Sequence, residues 1–129
     1  MNLRHIKTLT DFRLTLRQFF HFSEEAASRL GVSSQQYQVM LAIRAASESR
    51  ITVGALAEHM FLKPHSVTGL LNRLVKLGFV QRARRTHDRR EVSVTLTPNG
   101  LEILEALAAA HRSELRRLKP MLNEILSRL

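Results

Sequence analysis

The spacing of apolar residues along the chain changes from three-and-four to two and back again, and each change marks an element. Leu9, Phe12, Leu16, Phe19 and Phe20 recur at helical steps over about Leu9 to Leu30, and Gly31 follows where a helix commonly stops. Phe22 lies off that stripe, so the helix carries more apolar surface than one neighbour would cover. Ser33-Ser34-Gln35-Gln36 predicts a capping box, with the Ser33 hydroxyl accepting an N–H bond and Gln36 reaching back. The helix it opens is read with Tyr37, Met40, Leu41 and Ala45 inward, and Ala46 to Arg50 as a loop. Ile51 reads as a short extended piece. Thr52 caps a short helix with Val53, Leu56, Ala57 and Met60 on its inner side.

Phe61-Leu62-Lys63 then links to a helix with Pro64 in its first turn, where the missing N–H costs nothing. Val67, Leu70, Leu71 and Leu74 form its buried stripe and Gly78 ends it. From Phe79 to Arg84 and from Val92 to Leu96 the alternation is strict, with polar Arg85 to Glu91 between, which predicts a hairpin with a long basic tip. Thr97 and Pro98 restart helix, and Leu101, Leu104, Ala108, Leu115 and Leu118 carry it until Pro120, which is expected to break it. Met121, Leu122, Ile125, Leu126 and Leu129 make a short final helix.

Three helices followed by a two-stranded hairpin, with an extended piece before the second small helix, is the layout of a winged helix-turn-helix. The expected fold is therefore mainly α (α+β), one domain over 1–129. Its winged helix core covers 33–100, and long helices at 1–31 and 101–129 serve dimerisation. At 129 residues and 44% apolar content the chain suits one domain with a real core.

Charge sharpens this picture. The net charge is +9, and the segment from Lys63 to Arg90 holds eight Lys and Arg against one acid, Asp88, so seven of those nine charges fall there. A one-signed patch attracts polyanions by counterion release, which makes nucleic acid the leading partner over an acidic membrane surface. No apolar run approaches the ~18 residues that span a bilayer, and the start lacks the apolar block of a secretory signal. The expected compartment is the cytoplasm.

The same residues resemble a family. Ser33 to Ala46, Val53 to Met60 and Val67 to Val80 are similar to the MarR family of bacterial transcription regulators, and Asp88-Arg89-Arg90-Glu91-Val92-Ser93-Val94-Thr95-Leu96-Thr97-Pro98-Asn99-Gly100 is the most specific stretch. The resemblance implies a homodimer with intertwined terminal helices and one winged helix per subunit on double-stranded DNA. It also implies small aromatic effectors between the dimer helices and the winged domain, near Phe19, Phe22 and Tyr37, although a dimer or domain core is the better reading of those rings. Gly69 stands where family members often carry a polar or basic side chain, which removes a groove contact and costs the helix ~1 kcal/mol relative to Ala. The end at Leu129 implies trimmed dimer contacts there.

On the Pro64 to Lys76 helix the buried stripe leaves His65, Ser66, Thr68, Asn72, Arg73 and Lys76 outward, with Lys63 just before them. Ser66 and Thr68 suit phosphate or base-edge bonds and Asn72 suits adenine. Arg73 reads equally as a DNA-backbone contact or an intramolecular ion pair. Arg82, Arg84 and Arg85 are expected at phosphates, with one or more simply exposed. Arg89 and Arg90 flank the tip with Asp88, and Arg90 is the expected minor-groove residue, held in place by Asp88. His59 and His65 fall on different helices with no ligand at i+4, and the chain has no cysteine, so no metal site or thiol chemistry is read. His21 and His111 read as partly buried hydrogen bonders. No catalytic constellation or cofactor loop appears. The expected function is a sequence-specific DNA-binding regulator, a homodimeric repressor on a near-palindromic operator that a small-molecule effector releases. The rival is a winged-helix interaction module that offers its basic patch to an acidic protein; an RNA binder would need exposed aromatics to stack unpaired bases.

Overall fold

The computed structural model describes residues 1–85 and 88–129, with side chains throughout these except at 84–91. Helix α1 (Leu3–Arg29) leads to α2 (Ser34–Ala45), a 3-10 turn (Ser47–Ser49), β1 (Ile51–Thr52), α3 (Val53–Met60) and α4 (Pro64–Lys76). Strands β2 (Val80–Arg85) and β3 (Asp88–Leu96) follow, and α5 (Pro98–Ser127) closes the chain. The sheet is antiparallel in the order β1-β3-β2, with Ile51 opposite Val94 and Val80 opposite Leu96. This is the winged helix-turn-helix expected from the sequence, flanked by two long helices.

Local chemistry sets most of the boundaries. The capping box forms as read: Ser33 Oγ accepts from the Gln36 amide at 3.0 Å and Gln36 Oε1 accepts from the Ser33 amide at 2.8 Å. Thr52 and Thr97 cap α3 and α5 through the amides of Ala55 and Gly100. Three helix ends close by one motif, in which a left-handed residue lets two amides return to the last turn. Gly31 and Gly78, both at φ 81°, occupy that position after α1 and α4. After α3 the position belongs to Phe61, at φ 54° and ψ 39°. That conformation costs an L-residue roughly 1–2 kcal/mol.

Four expectations need correction. The α1 stripe has the right period but a different phase: Thr8, Thr15, Ser23 and Ala27 are buried, while Leu9 and Phe20 stand about half exposed. The threonines can be buried because their hydroxyls donate to the carbonyls of Arg4 and Asp11, so no donor is stranded. On α2, Tyr37 and Met40 point inward, but Leu41 and Ala45 are exposed and Val39, Ala42 and Ile43 take the inner face. Pro120 does not break α5, which runs through it unbroken. Proline removes one helical bond there, and Leu118 and Ile125, buried on either side, hold the rod together. Finally, β2 and β3 take in Arg85 and Asp88 to Glu91, residues read as the tip, with an irregular register between Arg84 and Arg85.

The core sits under the winged helix. Met40, Ile43, Leu56, Val67, Leu71, Leu74, Val80, Val94 and Leu107 are fully buried, so α2 through α5 and both wing strands share one apolar interior. The joint between α5 and this unit is tight. Thr97 Oγ1 donates to the Gly78 carbonyl, and the Thr97 amide donates to the Phe79 carbonyl at 3.0 Å. A Cβ on Gly100 would stand 2.0 Å from the Phe79 carbonyl oxygen, a backbone atom that cannot swing aside. Gly100→Ala is expected to destabilise the chain by about 1–3 kcal/mol in urea unfolding, as overpacking does. Gly54→Ala, with nothing near its Cβ position, should show no such loss in the same measurement.

Candidate nucleic-acid interface

Helix α4 buries Val67, Leu70, Leu71 and Leu74 and leaves the opposite side uncovered. His65, Ser66, Thr68, Asn72, Arg73 and Lys76 are all exposed on it, as is Lys63 at its N-cap. The residues singled out on this helix therefore share one outward face, and their own subunit does not wall it off. Its N-cap makes no side-chain hydrogen bond, Pro64 brings no N–H and the Ser66 amide is held by the Lys63 carbonyl, so this end offers the exposed Lys63 and the positive end of the helix dipole rather than free amides.

The wing is tied to this face directly. Arg82 on β2 donates from Nη2 to Asn72 Oδ1 across 2.5 Å, which sets a cation of the wing beside the middle of α4. The bond uses one of the two acceptor sites on Asn72 Oδ1 and leaves the other, with both Nδ2 donors, for a partner. Thr68 Oγ1 donates to the Pro64 carbonyl at 3.0 Å, so its hydroxyl faces outward as an acceptor and its methyl as an apolar contact. Gly69 has nothing within 4 Å of its Cβ position, so packing does not require glycine there. The side chains of Arg84, Arg85, Asp88, Arg89 and Arg90 lie outside the described residues.

The aromatic residues gather elsewhere. Tyr37 stacks on His111 with ring centroids 4.3 Å apart, and Phe22 and Phe19 meet the same imidazole edge-on at 5.4 and 5.9 Å. His111 is buried with both nitrogens engaged: Nδ1 lies 2.7 Å from the Leu107 carbonyl and Nε2 lies 2.8 Å from Ser23 Oγ. The carbonyl can only accept, so Nδ1 donates to it, and with the ring in that neutral tautomer Nε2 accepts from Ser23. Burial raises the Tyr37 phenol above its ordinary value. His111 joins α1, α2 and α5 where the sequence favours a core over an effector pocket, and it is the buried hydrogen bonder expected. His21 is not: its ring is exposed, 3.2 Å from Glu25. Among the described residues no cluster suits a metal ion, and no helix is long and apolar enough to cross a membrane.

Residues 30–91 match the model of the MarR family. The chain belongs to the MarR family. Over 95 residues it is 30% identical to the HTH-type transcriptional repressor YetL of Bacillus subtilis, a stretch covering 74% of this chain and 57% of that protein. It spans about half the length of the first curated relatives it matches. The MarR regulator AbsC of Streptomyces coelicolor shares the fold over 98% of this chain and 97% of its own, with a TM-score of 0.80 at 18% identity. A mutant MarR from E. coli, solved complexed with operator DNA, superposes with a TM-score of 0.69 at 26% identity, over 89% of this chain and 90% of that one.

Two residues that matter to the MarR domain here escaped the sequence reading. Phe61 passed as a linker residue, though a bulky side chain where helices prefer glycine is a visible signal. Gly100 passed as a family marker, and its contact with Phe79 depends on tertiary packing. Ser23→Ala should leave His111 Nε2 unpaired and cost about 1–3 kcal/mol in urea unfolding. Ser113→Ala, at an exposed site on the same helix as His111, should cost far less.

Proposed function

We propose that the chain is the DNA-binding and dimerising domain of a transcription regulator that places α4 in a major groove and its wing in the neighbouring minor groove. The observation that carries this is the outward face of α4, uncovered, almost free of acids and bridged to β2 by Arg82. An α-helix fits the major groove, and phosphates on either side meet Lys63, Arg73, Lys76 and Arg82. Ser66, Thr68 and His65 lie at the base-facing amino end, as recognition helices arrange them. From the sequence, Arg84, Arg85, Asp88, Arg89 and Arg90 extend the charge along the wing, with Arg90 in the minor groove. The repressor relative YetL and the operator-bound MarR structure favour DNA over an acidic protein as the partner.

The proposed dimer forms through the long helices. Leu3, Ile6, Leu9 and Leu14 on α1 and Leu115, Met121 and Leu126 on α5 stand 45% exposed or more, an amount of apolar surface a lone subunit leaves wet. Two-fold pairing then sets half-sites about one helical turn apart, ~34–36 Å. Release by a small aromatic molecule near Phe19, Phe22 and Tyr37 would require His111 to yield its place between those rings.

Duplex titration tests the interface. Arg90→Ala and Lys76→Ala should each weaken operator binding, Arg90→Ala by about 1–3 kcal/mol, and each should lower the salt slope by about one. A weak, flat response of the unaltered chain to duplex DNA at low and moderate salt would favour the acidic-partner rival. Sedimentation at micromolar concentration should show a dimer, and Leu9→Lys together with Leu126→Lys should shift it to monomer without loss of helix by circular dichroism. A folded monomer in the unaltered chain would overturn the dimer.

A further inference from the structure

The turn between α3 and α4 contains an expense with no return inside the molecule. Phe61 holds the left-handed position that Gly31 and Gly78 hold at the other two helix ends of the same design. Its amide donates to the Glu58 carbonyl and the Leu62 amide to the Ala57 carbonyl, so the backbone needs φ positive whatever the side chain. Glycine would meet that need without strain. The phenyl ring gains nothing by burial, because Phe61 is 95% exposed. A strained backbone carrying an uncovered aromatic ring points to a contact outside the chain.

The position says what that contact is. Phe61 stands between α3, the helix that crosses the backbone in this motif, and the amino end of α4, which faces base edges. Lys63 and His65 follow it, both exposed, and Glu58 is the one acid from Val53 to Lys76. A ring at the lip of the major groove meets one apolar group there that tells bases apart, the C5-methyl of thymine. We infer that Phe61 is a specificity-determining residue that packs its ring on a thymine methyl at the edge of each half-site. This rests on the DNA reading of α4. An apolar pocket on a protein partner is the competing occupant, and the surrounding cations favour the duplex.

The test starts from duplexes that the unaltered chain selects out of a random library, in which each thymine is replaced in turn by uracil. One replacement in each half-site should weaken binding of the unaltered chain about fourfold, the worth of one methyl. Phe61→Gly should bind the parent duplex on the order of tenfold more weakly, lose sensitivity to that same replacement, and melt at a higher temperature. Phe61→Asn, which also tolerates the left-handed conformation, should repeat the loss of binding and of methyl sensitivity. Unchanged affinity in both variants, or a uracil profile matching that of the unaltered chain, overturns the inference and leaves the DNA reading standing. An unaltered chain that selects no duplex overturns the DNA reading and this inference with it.

Discussion

The contact of α5 with the turn after α4 is the constraint on which the rest depends. Gly100 lies so close to the Phe79 carbonyl that no side chain fits, and Thr97 secures the same turn through Gly78 and Phe79. That turn ends α4 and begins β2, so one joint positions the outward helix face, the wing and the long α5 rod together. With backbone packed against backbone, rotation of α5 cannot be absorbed by side-chain rotamers. A movement of α5 at this end would therefore have to take the turn, and with it α4 and β2, along.

What the sequence revealed follows from the range of the physics involved. Caps act within three residues, so Ser33 with Gln36, Thr52 and Thr97 were legible without knowledge of anything else in the chain. The α4 stripe was legible because a single apolar face meets a single interior, and the outward residues followed by subtraction. On α1 the apolar residues outnumber the places on one face, so periodicity gave the helix and left its rotation to packing with α5. There the small, self-satisfied Thr8 and Thr15 turn inward and Leu9 and Phe20 turn out. Pro120 shows the limit from the other side. Its local preference is to end a helix, and buried Leu118 and Ile125 override it. The core reading of Phe19, Phe22 and Tyr37 was favoured from sequence over an effector pocket, but what joins the rings was not legible, because it is His111, a residue some 74 positions from Tyr37 that reaches it only through the α1–α5 pairing.

The kind of partner an arginine has bears on function. On the long helices Arg128 joins Asp11 at 2.8 Å and Glu124 at 3.1 Å, and Arg117 joins Glu114, whose carboxyl its hydrogen bonds hold below the usual range. Exposed pairs of that kind add little stability, but they cancel charge. Beside α4 the partner is of another type. Arg82 is held by Asn72, a neutral amide oxygen, which fixes the guanidinium in direction without neutralising it. An acid in place of Asn72 would bind Arg82 more strongly and repel the phosphates the face is proposed to meet. The concentration of like charge from Lys63 through Arg90 works against compactness, and the interior beneath α4 offsets that cost with Val67, Leu71 and Leu74 wholly out of water. A face that stays positive in the free chain would give the proposed phosphate contacts their full counterion release on binding, and a neutral tether such as Asn72 holds Arg82 in place without losing that charge.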